Sequence, residues 1–305
     1  MDVVAAVKRL GFIASRKQLV ALGFSGGDLT TAVRLGQLWR IRRGYYAAPG
    51  ASNEAIGAVR VGGRLGGTSA AASYGLWRGF DQRVHVVLPA NASRLRTQLP
   101  PSESDYLTPD STFREVVLHW IAARSKSIEC WRVTAREALV QVVNWSDAET
   151  AIACLDTARG NLGLSTAEIE EMFRDEPAVA RARARASCPG SDSGVESIVR
   201  QRLLRCGIGV EQQVEFAGVG RVDMVVAGTR LVIEVDGAAF HSSAESIEND
   251  RRRGAVLPAL DHRLIRLSFA RVFGEWQWCE AQVRAALAAS SNSGVGVTKG
   301  ASVND

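Results

Sequence analysis

Asp223 and Glu234 flank a short turn, Ala227-Gly228-Thr229-Arg230, and each sits in an apolar run of strand-forming residues. A hairpin turning at Gly228-Thr229 sets Val226 across from Leu231 and Asp223 across from Glu234. Side chains alternate between the faces of a strand. Val222, Met224, Val226, Leu231, Ile233 and Val235 then form one apolar face. Arg221, Asp223, Val225, Val232, Glu234 and Asp236 share the other. Directly opposed residues bring their Cβ atoms to about 5 Å, where two carboxylates repel. A cation between them converts that repulsion into ligation. Mg²⁺ suits the position, because it takes oxygen ligands, retains waters and needs only one or two carboxylates. The spacing therefore predicts a metal-dependent enzyme with Asp223 and Glu234 as ligands, the plainer alternative being a solvated, mildly repelling surface pair.

Further groups with chemical potential lie on either side. Arg221 falls opposite Asp236 in the same hairpin, which predicts a cross-strand ion pair. Glu196 closes the sequence Ser193-Gly194-Val195-Glu196, the pattern of a capping box. Its carboxylate has three roles open to it: capping the helix, facing the metal, or moving between the two. His241 follows Gly237 in the loop leaving the second strand, and imidazole titrates near neutrality. It reads as a general base, a phosphate contact or a plain surface histidine. Asp250, Arg251 and Arg253 either orient His241 and bind phosphate or form a solvated helix face.

These residues require a frame. Apolar periodicity predicts a helix over 195–206, a strand over 210–216, the carboxylate hairpin, and a polar helix over about 246–257. A strand over 263–268 and a helix over 276–287 follow. That order makes an α/β sandwich with a mixed sheet. Glu196, Arg221-Val222-Asp223, Glu234-Val235-Asp236-Gly237, His241, Asp250-Arg251-Arg252-Arg253 and Arg263-Leu264-Ile265-Arg266-Leu267 together resemble the Vsr-like (very-short-patch-repair-like) branch of the PD-(D/E)XK endonucleases. The resemblance covers about residues 190–290. It implies a Mg²⁺-dependent phosphodiester hydrolase, with the Val235 carbonyl as a third metal ligand and Glu196, Asp223, Glu234, His241 and Asp250 in the catalytic set. The sequence departs from the wider family at Asp236, where an E-x-K pattern has lysine. Arg221 could restore a cation there, but guanidinium is a poor proton acceptor, so a base must come from elsewhere, with His241 first in line.

The first fifty residues carry different chemistry. They hold eight Lys and Arg against two acids, whereas residues 191–290 hold twelve Arg against thirteen acids. The net charge of +5 therefore originates at the N-terminus, the candidate nucleic-acid contact. Three short helices, the second and third starting at Ser15 and Ser25, precede a basic hairpin around Arg42-Arg43. This is the layout of a winged helix, whose third helix enters the major groove while the hairpin touches phosphate. Arg34, Arg40, Arg42 and Arg43 are the expected phosphate contacts. Leu38-Trp39-Arg40-Ile41-Arg42-Arg43-Gly44-Tyr45-Tyr46-Ala47 resembles the N-terminal winged helix of AbiEi-type antitoxins, which implies DNA contact.

The expected domains are a winged helix (1–50), an antitoxin-like middle α/β scaffold able to bind a protein partner (51–186), a linker (187–194), the nuclease domain (195–289) and a disordered tail (290–305). His85 and His119 fall inside apolar strands and read as hydrogen-bonded structural histidines. No apolar run reaches the ~18 residues of a membrane span. The five cysteines lack CxxC spacing, which argues against a disulfide scaffold or zinc site and for a cytoplasmic protein. The function expected is DNA endonuclease, in repair or defence. The alternative is an antitoxin-type transcriptional regulator with a non-catalytic nuclease-like domain.

Overall fold

The computed structural model describes residues 2–93, 95, 115–122, 127–236, 256–258 and 260–292. The chain forms two units, Met1–Ser187 and Cys188–Asp305. No helix among the described residues is long and apolar enough to cross a membrane, and none of the five cysteines is in a disulfide.

The first unit opens with α1 (Val3–Arg9), β1 (Ile13–Ser15), α2 (Arg16–Ala21), α3 (Gly26–Arg34), β2 (Trp39–Arg42) and β3 (Tyr45–Ala47). Ser15 and Ser25 cap α2 and α3 with reciprocal side-chain bonds to Gln18 and Asp28, which fixes where each helix starts. The three strands pair antiparallel in the order β1-β3-β2. This small sheet is not a separate body. Ile13, Ile41 and Ala47 share one core with Ile56, Val59, Leu65, Val86 and Val133 from the following segment.

That segment contains α4 (Asn53–Val61), β4 (Arg64–Leu65), α5 (Gly67–Ser73), β5 (Val84–Leu88) and β6 (Val116–Trp120). Its sheet runs β4-β5-β6, with β5 and β6 parallel. Helices α6 (Ala135–Trp145), α7 (Ala148–Leu162), α8 (Thr166–Met172) and α9 (Ala178–Ala186) complete the unit. The strand histidines are structural, as expected. His85 is buried, its Nε2 meets Asp81 at 2.9 Å, and its Nδ1 meets His119 Nε2 at 3.0 Å. The His119 ring stacks on Trp145 with centroids 3.9 Å apart.

The second unit begins with a tethered approach segment. Gln212 donates to Ser191 Oγ at 2.6 Å, and Ser191 is buried. A segment that reads as linker by composition is thus bonded into this unit from residue 188 onward. Then come α10 (Gly194–Arg205), β7 (Val210–Phe216), β8 (Gly220–Val226), β9 (Leu231–Asp236), β10 (Arg263–Ser268), α11 (Phe269–Gly274) and α12 (Trp276–Asn292). The sheet order is β10-β9-β8-β7, with β10 parallel to β9 and the other pairs antiparallel. Met224 pairs with Ile233 and Val225 with Val232, the register that turn chemistry predicts. The hairpin is buried at Val222, Met224, Val225, Leu231, Val232 and Ile233. Val225 and Val232 pack with Leu257. Each fully buried side chain of this size contributes about 1.5–3 kcal/mol, so the hairpin is held rigidly in the sheet. Residues 290–292, expected in a disordered tail, instead continue α12; residues 293–305 lie outside the described set.

Candidate active site

The site is assembled from one helix start and three strands. Asp223 lies on β8 one residue beyond the regular ladder with β9. Its Oδ2 accepts the backbone N–H of Val235 at 2.8 Å. The carboxylate thus takes a place on β9 that a ladder carbonyl would otherwise fill, through a charge-assisted bond.

Glu234 is only 5% exposed. Parallel β10 brings Arg266 into register beside it, and Arg266 Nε lies 3.5 Å from Glu234 Oε2. This cation was not foreseen. An arginine set between Leu264-Ile265 and Leu267 was the available signal. Parallel pairing arrives by a crossover, so no local rule links residue 266 to residue 234.

Glu196 occupies the third position of α10. Ser193 caps the helix by accepting the Glu196 N–H at 3.2 Å. The reciprocal half of the capping box does not form. Glu196 Oε2 instead accepts the Asp192 N–H at 3.0 Å and the Gln213 side-chain amide at 3.0 Å. Of the three roles open to Glu196, its side chain is therefore turned toward the sheet. Burial, and then the negative charge of Asp223, push its carboxyl up to about 7. Glu196, from a helix, and Asp223, from a strand, are thus brought into one electrostatic neighbourhood. Gln213 and Asp192 are functional neighbours that sequence reasoning missed.

Arg221 also departs from expectation. It forms an ion pair with Asp192 on the approach to α10, a partner outside the hairpin. Asp236 is half-buried on β9, in register with Ser268. His241, Asp250, Arg251 and Arg253 lie outside the described residues. Among the described residues, no group of three or more His, Cys, Asp or Glu side chains is gathered closely enough to hold a metal ion. The donor chemistry nevertheless suits a hard cation. Asp223 and Glu234 supply carboxylate oxygens, the Val235 carbonyl is adjacent in sequence, and no thiolate or imidazole competes among the described groups.

Residues 196–287 match the family model described as REase_MTES_1575. The match starts at Glu196 and runs through all four strands to α12. The second unit carries a restriction-endonuclease-like domain. Such a domain points to nuclease chemistry with DNA as substrate. No curated protein matches the chain.

In the first unit, the predicted phosphate contacts divide. Arg34, Arg40 and Arg43 are exposed. Arg42 is half-buried and donates to the Val59 and Arg60 carbonyls, both at 3.3 Å. These oxygens belong to the last turn of α4, where a cation is favoured. The guanidinium packs over Gly62, whose φ of 119° and missing Cβ both matter. A Cβ there would stand 2.3 Å from Arg42 Nη1. Arg42 thus braces the hairpin against α4.

Proposed function

We propose that this protein is a Mg²⁺-dependent DNA endonuclease of Vsr-like type, brought to its substrate by an N-terminal winged helix and acting in DNA repair or defence. The observation that carries the reading is the placement of Glu196 beside Asp223, through Gln213 on β7, within a restriction-endonuclease-like domain. Buried like charges cost stability unless a cation or proton compensates them. Asp223, Glu234 and the Val235 carbonyl would hold the metal. A Mg²⁺ held there would supply a water of lowered pKa and charge neutralisation at the reacting phosphate. Glu196, which keeps its proton to near neutral pH, is suited to exchange a proton with a water. His241 is proposed as general base or phosphate contact, with Asp250 orienting it and Arg251 and Arg253 binding phosphate.

The order α1-β1-α2-α3-β2-β3, with its β1-β3-β2 sheet, supports the winged-helix reading. In that reading α3 enters the major groove, and Arg34, Arg40 and Arg43 neutralise phosphates.

One observation favours a second reading. Asp223 is bonded by Val235 N–H and Glu234 is paired with Arg266, so both acids have protein partners. An antitoxin-type DNA-binding regulator with a non-catalytic nuclease-like domain would show the same. Incubation of supercoiled plasmid with the full chain, with Mg²⁺ or with EDTA, separates the two. Nicking or linearisation only with Mg²⁺ supports the nuclease. Sequence-selective DNA binding with intact plasmid supports the regulator.

A further inference from the structure

Gln213 has a backbone φ of 53° in the middle of β7. This left-handed conformation is uncommon for residues other than glycine, asparagine and aspartate. No residue is inserted at that point. Gln212 pairs with Met224 and Val214 with Val222, so Gln213 stands opposite Asp223. In a regular strand, consecutive side chains leave by opposite faces. Here one glutamine reaches the approach to α10 and the next reaches the first turn of that helix. Gln212 bonds Ser191, and Gln213 bonds Glu196. The twisted backbone delivers the second amide to the carboxylate.

The Asp192 N–H and Gln213 Nε2 both go to Oε2, and the Ser193 hydroxyl also bonds the carboxylate. Oε2 is thus anchored between the approach to α10 and the β7 position that stands opposite Asp223. Strain held in a backbone persists only where its surroundings enforce it, and it concentrates at functional sites.

We propose that Gln213 is a positioning residue, whose amide fixes the Glu196 carboxylate beside Asp223, where Asp223 and Glu234 would hold a metal. The inference rests on the nuclease reading given above. It concerns a side chain outside the carboxylate set, and it assigns the unusual backbone a purpose.

Two variants separate the amide from the backbone. Gln213→Gly removes the amide and frees the left-handed position of strain. Gln213→Met keeps the length and the strain but cannot donate. Mg²⁺ and Mn²⁺ affinities of the full chain are measured by calorimetric titration, alongside thermal unfolding and plasmid cleavage. Loss of a group that orients a ligand typically weakens metal binding or activity by about 10–100-fold. Both variants are expected to show that loss, with Gln213→Gly melting no lower than wild type. Wild-type affinity and cleavage in Gln213→Gly would overturn the proposal, even if Gln213→Met were impaired. If wild type binds no divalent ion and cuts no DNA, the nuclease reading itself fails and the inference falls with it. If wild type binds and cuts and Asp223→Asn does neither, an unaffected Gln213→Gly rejects the positioning role alone.

Discussion

Glu196 and Asp223 are separated by a helix, a strand and a turn, yet the negative charge of Asp223 raises the proton affinity of Glu196. The coupling makes a stability prediction for the metal-free protein. The Glu196 carboxyl lies at about 7 when folded, against an ordinary 4.5, so the folded state holds its proton more tightly. Its stabilising contribution is complete below pH 4.5 and is lost as pH rises through 7. The loss is on the order of 1–3 kcal/mol, since each pKa unit corresponds to about 1.4 kcal/mol. Thermal unfolding in EDTA between pH 4.5 and 8 should show this decline for wild type and a flatter profile for Glu196→Gln. Identical slopes would mean that Glu196 titrates normally.

Asp223 has a structural role and a proposed chemical one, which substitution can separate. Asp223→Ala leaves Val235 N–H without its acceptor, which costs about 1–3 kcal/mol. Asp223→Asn keeps an acceptor oxygen there, so its unfolding free energy should stay within about 1 kcal/mol of wild type. Denaturant unfolding of both variants checks the difference.

The Arg266–Glu234 pair predicts an asymmetric result. Arg266→Ala strands a buried carboxylate, while Glu234→Gln removes the charge that needs a partner. Breaking a fully buried pair costs about 3–5 kcal/mol. Arg266 is 39% exposed, so solvent screening reduces the expected loss to roughly 1–2 kcal/mol. Glu234→Gln should be less destabilising than Arg266→Ala by chemical unfolding. The double variant should recover part of the Arg266→Ala loss.

Much of this site is legible in the sequence because hairpin geometry is local. Turn residues and alternation set Met224 against Ile233, and Asp223 near β9 follows from that register. Arg266 and Gln213 are not legible, for two different reasons. Arg266 reaches Glu234 through a parallel strand whose position depends on the crossover between them. Gln213 reaches Glu196 only because one backbone angle breaks the strand alternation that sequence reasoning assumes. Ser193 reads correctly as a helix cap, but the Glu196 side chain takes the Asp192 N–H and the Gln213 amide from β7 instead of closing a capping box. In the first unit, Arg42 resembles its basic neighbours in sequence. The carbonyl groups that claim it lie on α4, beyond the hairpin.

That division among the arginines can be measured as a salt dependence. Replacing Arg34, Arg40 or Arg43 with alanine should weaken DNA binding and lower the slope of log K against log salt by about 0.9 per lost phosphate contact. Arg42→Ala should mainly lower thermal stability and change the slope little. Fluorescence anisotropy across a salt series, with melting curves for each variant, tests both statements.

The first unit should be sensitive to acid through His119. Burial, together with the neighbouring His85, lowers its pKa from 6.5 to about 4. Its stabilising contribution is therefore present above pH 6.5 and lost as pH falls toward 4. His119→Phe keeps a ring to stack on Trp145 and removes the titration. Its melting temperature should vary less than that of wild type across this window.

The central claim is that Asp223 performs metal-dependent chemistry on DNA, and one comparison tests it most directly. Supercoiled plasmid is incubated in Mg²⁺ with equal amounts of wild type and of Asp223→Asn, a change that retains the acceptor for Val235 N–H. Nicking or linearisation by wild type, with at least about a hundred-fold slower cleavage by the folded variant, is the predicted result. Equal cleavage by the two proteins, or intact plasmid with both, would contradict it.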